Sequence, residues 1–268
     1  MDASSSHVPL TLDPEIENEI RLLLTNHYEP VYRERTESYV NSLLTIVNYT
    51  CRFQYLQSII GTDACRPETR IFISGFSVGS EMIAARQFGF GKIHGAEVDH
   101  FLLAVCQKRL SQFQDMYPVY YDGTTLPYEN EQFDVLVSGH IVEHTRIPEL
   151  YLKECMRVIA PGGYLFLEYP TRYHYKELHT LLPSFEWLPR PLRNGILLTL
   201  SSRISPLNQP SKERYRSIVK TKLKQISMWQ IRYMLMKNGY RPIVLNSMKA
   251  APGIIRCVMQ KSHDKEIC

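Results

Sequence analysis

Two glycines four residues apart, Gly75 and Gly79, fall in "ISGFSVGSE", between a run of core-type residues and a helical pattern. Glycines there let the backbone turn tightly and let a ligand approach the helix N-terminus, whose exposed N–H groups favour a negative group. Taken alone, the same text also describes an ordinary strand-to-helix turn. Glu97 ends the next apolar run, "GAEVD", twenty-two residues past Gly75. A carboxylate at a strand tip accepts two hydrogen bonds at once, which suits the paired hydroxyls of a ribose. Asp99 competes for that role, but its position suits the N-cap of the following helix. The third run ends at Asp122, where a carboxylate can accept from an adenine amino group while the Gly123 or Thr124 amide meets the ring. Together these residues favour a ligand that contains a nucleoside.

Such residues meet only if successive strand ends lie side by side. From Thr69 the text alternates short apolar runs with helical patterns, which predicts a parallel sheet with helices on both faces. The strands are expected at "RIFISG", "KIHGAEV", "YPVYYDG", "QFDVLVSG" and "GYLFLEYP", with helices at "SEMIAARQFGF", "DHFLLAVCQKRLSQF" and "IPELYLKECMRVIA". The last of these helices is expected to stop at Pro161-Gly162-Gly163. After a further helix, "SMWQIRYMLMKNGY", the strands "RPIVLNSMK" and "GIIRCVMQK" follow without a crossover and should pair as an antiparallel hairpin. Ahead of the sheet, Asp13-Pro14 reads as an N-cap with a proline in the first turn, opening one helix, and 35–60 reads as a second, longer helix. The expected fold is therefore α/β: a doubly wound, seven-stranded, mostly parallel sheet with an antiparallel last strand. The expected organisation is a helical extension over 1–65, a nucleoside-binding domain over 66–170 and 226–262, and an insertion over 171–225.

At 268 residues and 44% hydrophobic, the chain can bury one large α/β core. Its longest uncharged apolar stretch, "GILLTL", is too short to span a bilayer, and the N-terminus lacks a signal-peptide pattern. A cytoplasmic protein is expected. Six scattered cysteines, with no CxxC pair and no His/Cys cluster, predict free thiols and no metal site.

The block "YYDGTTLPYENEQFDVLVSGHIVEH…RIPELYLKECMRVIAPGGYLFLEYP" resembles the "D…LPF…FDVV…LEH…L.E..RVLKPGG.L.L..P" stretch of class I S-adenosylmethionine-dependent methyltransferases. The resemblance covers Arg70 to Pro170, and Met228 to Lys261 is similar to that family's last helix and two strands. It implies a Rossmann-like methyltransferase fold with S-adenosyl-L-methionine as cofactor. It further implies that Gly75 and Gly79 line the methionine part, Glu97 holds the ribose and Asp122 reads the adenine. Phe76, Ser77, Glu81, Val98 and Gly123 fall within the same implied cofactor site, and Ser138 and Gly139 would lie beside the methionine moiety and the reacting methyl. His140, Glu143 and His144 occupy the turn that borders the substrate in this family. His140 is the candidate base, as a neutral imidazole near pH 7, and His144 is the second catalytic candidate or a structural cap. The chain departs from the family at Ile73, commonly acidic, and at Ser77, commonly glycine. Ser77 fits that loop if its backbone keeps a negative φ, Glu81 is the candidate substitute for the missing acid, and modest cofactor affinity is expected.

In this superfamily the acceptor is chosen by additions to the sheet. The 171–225 insertion carries eleven Lys/Arg against three Asp/Glu, a net +8, while the rest of the chain is −4. Arg172, Tyr173, His174, Tyr175 and Arg190 suit a carboxylate or phosphate on a small organic acceptor methylated at oxygen or nitrogen, although a solvated basic surface has the same composition. Trp187 and the leucines near it leave a membrane-interface contact or a lipid-linked acceptor open, and no nucleic-acid partner is expected. The competing readings are a non-catalytic binding or scaffold protein on the same fold and, more weakly, a nicotinamide-dependent dehydrogenase, which Met82 disfavours because that pattern has glycine there. The sequence leaves the oligomeric state open.

Overall fold

The computed structural model describes residues 10–170, 192, 228–247 and 254–263. β1 (Arg70–Ser74) carries Ile71, Phe72 and Ile73 in succession, all fully buried, because helices cover both faces of the sheet at its centre. On one side of it lie β2 (Lys92–Glu97) and β3 (Met116–Tyr120); on the other lie β4 (Phe133–Gly139) and β5 (Ile159–Pro170). These five strands pair in parallel. β7 (Ile254–Lys261) runs antiparallel between β5 and β6 (Tyr240–Ser247), as the missing crossover predicted, to give the order β3-β2-β1-β4-β5-β7-β6.

The strand order reverses direction between β1 and β4, which opens a crevice at their carboxyl ends. The crossover helices are α4 (Ser80–Gln87), α5 (His100–Leu110) and α6 (Pro148–Val158), and α7 (Met228–Lys237) precedes β6. Asp99 caps α5 by accepting from the Phe101 and Leu102 amides, which removes it from competition with Glu97.

Asp13 caps α1 (Pro14–Tyr32) as expected. The second N-terminal helix is not continuous: α2 (Thr36–Leu44) and α3 (Val47–Ile60) are separated at Thr45, which is extended with ψ 136°. The break frees the carbonyls at the end of α2, and Ser80 Oγ and Arg109 Nη2 donate to Leu43 and Leu44 at 2.7 and 3.1 Å. Arg109, fully buried, also pairs with Glu17 and so rivets the N-terminal helices to α5. α6 ends at Val158, earlier than Pro161-Gly162-Gly163 suggested. Ile159 already pairs with Phe133, so Pro161 to Gly163 lie inside β5 beside a register shift rather than stopping a helix.

Candidate functional site

The turn after β1 places Gly75, Ser77 and Gly79 at φ 68°, 53° and 85°. At Gly75 the left-handed backbone coincides with a close approach: a Cβ there would overlap the Ile141 side chain. Ser77 therefore does not meet the condition of a negative φ, and Glu97 supplies the reason. The left-handed turn aims the Ser77 N–H at Glu97 Oε2, 3.0 Å away. Glu97 Oε1 accepts from the Val98 and Asp99 amides at 2.9 and 3.2 Å. Three backbone donors thus fix a buried carboxylate that has capacity for about four, leaving room for a ligand hydroxyl.

Beside Glu97 opens a cavity of about 580 Å³, within the range of roughly 300–1,000 Å³ typical of small-molecule sites. Of the sequence-predicted residues, Gly75, Glu97, Val98, Asp122, Gly123 and His144 line it. Asp122 is held by its own turn, accepting from Thr124 Oγ1 at 2.6 Å and from the Thr124 and Thr125 amides at 2.9 and 3.3 Å. Those hydrogen bonds, led by the Thr124 hydroxyl, keep its carboxyl below the usual range. Phe76 instead packs its ring into the core against Gly95. Ser138 turns away too, its hydroxyl 2.7 Å from Tyr151 Oη, which donates in turn to Ser74 Oγ.

At the tips of β4 and β5 the site is charged and closed. Arg52, from α3, donates to Glu81 at 2.5 Å and to Glu168 at 2.6 Å, and its guanidinium lies over Gly139 so closely that a Cβ there would overlap it. Arg256 takes the other Glu168 oxygen at 2.6 Å. Burial pushes the Glu81 carboxyl up, an effect that Arg52 only partly offsets. Burial also opposes charge on Glu168, but His140, Arg52 and Arg256 outweigh it and hold that carboxyl far below the usual range. Glu81 does not stand in for an acid at Ile73 by facing open space; Arg52 has claimed it. Ile73 itself is fully buried in the sheet.

His140 sits at φ 58° with Nδ1 3.5 Å from Glu143 and Nε2 3.2 Å from Glu168. Burial opposes its charge, but the two carboxylates prevail and raise its pKa to about 9. At pH 7 it is an imidazolium, so the expectation of a neutral base is corrected. Its Nε2–H faces Glu168, and an imidazolium has no free lone pair with which to accept an incoming proton. His144 Nε2 lies 3.9 Å from Glu143, on the cavity side. Glu143 is 2% exposed, and neither carboxylate oxygen has a hydrogen-bond donor.

The sequence did not point to Arg52, Ile141, Glu168 or Arg256. Ile141 alone had a signal, its place inside "GHIVEH". The predicted acceptor residues Arg172, Tyr173, His174, Tyr175 and Arg190 lie outside the described residues. Among the described residues no group of side chains could hold a metal ion, and no helix is long and apolar enough to cross a membrane.

The cavity and the charged tips fit the two halves of a nucleoside-linked amino acid. A nucleoside matches the acid at the β2 tip and the apolar Ile141 wall. A carboxylate matches Arg52, whose buried Nε has no acceptor.

Residues 74–167 match the family model described as a methyltransferase domain. The seven-stranded sheet has the class I methyltransferase fold. Similar solved structures include an S-adenosylmethionine-dependent methyltransferase from Mesorhizobium loti (12% identity, TM-score 0.53, covering 75% of this chain and 95% of that one). Another is a putative sarcosine dimethylglycine methyltransferase from Galdieria sulphuraria (12%, 0.54, 81% and 85%). The [4+2]-cyclase SpnF is also similar (12%, 0.52, 76% and 80%), so the fold by itself does not decide the reaction. No curated protein matches the sequence.

Proposed function

We propose that this protein is an S-adenosylmethionine-dependent methyltransferase acting on a small organic acceptor, at oxygen or nitrogen, with the acceptor carrying an anionic or amphiphilic group. The observation that carries the cofactor half is Glu97, a buried carboxylate at the β2 tip, prepositioned by three backbone amides beside the cavity. The match to a methyltransferase domain over 74–167 supports the reaction class. The acceptor half is supported by the density of arginine, tyrosine and histidine at Arg172 to Tyr175 and at Arg190.

When bound, the cofactor supplies a sulfonium methyl with a neutral thioether as leaving group. The protein's part is to align donor and acceptor. Gly75 and Ile141 would wall the nucleoside and Glu97 would orient its ribose, while the His140 imidazolium stays fixed between Glu143 and Glu168.

Titration calorimetry with S-adenosylmethionine and S-adenosylhomocysteine tests the reading. Saturable heat with either supports it. No heat with both would sink it in favour of a non-catalytic scaffold on the same fold.

A further inference from the structure

We propose that the outward face of α7, built on Trp229, Tyr233 and Met236, docks on an anionic membrane surface. The inference goes beyond the reaction proposed above and does not depend on it.

The helix has two opposed faces. Ile231 and Leu235 are fully buried against the sheet, in the cluster that holds Leu152 and Tyr240. Trp229, Tyr233 and Met236 follow one another at steps of four and three, which places them within about 60° of one another on the other side. They are 64%, 68% and 46% exposed. The two buried residues already seat the helix on the sheet, so the exposed stripe is left for something outside the fold.

The chemistry at the edges of the stripe selects the partner. Arg232 flanks it on one side, its guanidinium carbon 5.8 Å from the Trp229 ring centre and its Nε–H donating to Met236 Sδ at 3.4 Å. Lys237 flanks it on the other side, and Arg241 follows in β6. Among the described residues none of these three cations meets a carboxylate. From Arg214 to His263 the chain has eleven Lys/Arg and no Asp or Glu. Aromatic rings with a polar edge, a thioether and bracketing cations suit the boundary between anionic headgroups and acyl chains. Trp and Tyr sit there at headgroup level, and Lys and Arg reach the negative charge.

A protein partner fits less well. The three side chains expose roughly 400 Å² between them, about half of the roughly 800 Å² that each partner gives a stable interface. Strand pairing along β6, the outer strand of the sheet among the described residues, is disfavoured by Pro242 and by the register shift beside it. A lipid surface sets no such minimum, since its binding grows with apolar area and charge together.

The chain has two tryptophans, so Trp187→Phe leaves Trp229 as the only one and makes its emission a local probe. The full chain carrying this change is mixed with vesicles of phosphatidylcholine alone, or of phosphatidylcholine with phosphatidylserine, each made with and without bromine on the acyl chains. The mixed vesicles are expected to shift Trp229 emission to the blue and to let bromine quench it. Phosphatidylcholine alone should do neither, and added salt should reverse both effects. Arg232→Gln with Lys237→Gln should weaken partitioning by about tenfold or more, and Tyr233→Ser with Met236→Ser by about as much. Thermal unfolding checks that both variants keep the fold. No binding to the mixed vesicles, binding that leaves Trp229 unquenched, or binding that both variants leave intact would overturn the assignment. So would a dimer in sedimentation equilibrium that Trp229→Ser dissociates, since a second copy would then cover the stripe. A Trp229 shielded from acrylamide in vesicle-free monomer would overturn it as well, because the chain itself would then cover that face.

Discussion

Replacing Glu97 by glutamine probes how the site is built, because a single carboxylate both shapes the turn after β1 and faces the ligand. Its Oε1 serves the Val98 and Asp99 amides and its Oε2 serves the Ser77 amide. Glutamine keeps one acceptor oxygen. With that oxygen on the Val98 side, the new NH2 group faces the Ser77 N–H, donor against donor, in a place that is 7% exposed. A buried donor left without an acceptor costs about 1–3 kcal/mol, and Ser77 then loses the bond that holds its left-handed turn. The ribose loses a charged acceptor worth about 1.5–3 kcal/mol, which converts to roughly 10- to 150-fold in affinity. Urea unfolding reads the first effect, and calorimetry with 5′-methylthioadenosine reads the second. Repeating the titration with the 2′-deoxy analogue isolates the hydroxyl: it should bind the wild type more weakly and Glu97→Gln no more weakly than its parent does. A stability change within about 0.5 kcal/mol, as at an ordinary surface site, together with unchanged ribose binding would refute the reasoning.

Other consequences are open to the same methods. Gly75→Ala should destabilise the fold and abolish nucleoside binding, since its Cβ overlaps Ile141 and its φ is 68°; equilibrium unfolding and titration check both. Ser77→Gly should raise the melting midpoint, corresponding to up to about 1 kcal/mol, because φ 53° is strained for serine and free for glycine. His140 carries a pKa raised from 6.5 to about 9, so the stability it contributes is fully present below about pH 6.5 and is lost as pH rises through about 9. The wild type should therefore lose more stability than His140→Gln between pH 6.5 and 9.5 in urea titrations, and equal losses would contradict the ion contacts to Glu143 and Glu168.

Much of the cavity at the tips of β1, β2 and β3 was legible in the residues. Glycine, acid and acid fall at the tips of three consecutive strands, and a strand tip is readable because apolar runs end where polar residues begin. Asp99 was separable from Glu97 because a helix N-cap has its own local chemistry. The seven strands and the closing antiparallel pair followed from the same kind of local text. Less legible were the places where distant groups override local preference. Residues 35–60 read as one helix, but the sequence carries no mark showing that Ser80 and Arg109 would take the carbonyls at its break. The positive φ of Ser77 was not legible because the bond that turns it comes from Glu97, twenty residues on.

The charged tips of β4 and β5 divide along the same line. The residue types at positions 81, 140, 143 and 168 stand in plain view, and periodicity alone places them near strand and helix ends. Their protonation and partners arise from contacts spanning 29 to 116 residues, where Arg52 meets Glu81 and Glu168. Whether His140 is a neutral base or a fixed imidazolium depends on which carboxylates surround it in a buried space, and electrostatic coupling acts through distance and dielectric rather than chain order. Local composition and period therefore carried the strands, the turn glycines and the acid at the β2 tip. Packing alone placed the guanidinium of Arg52 over Gly139, because no spacing rule links a helix ahead of the sheet to the tip of its fourth strand.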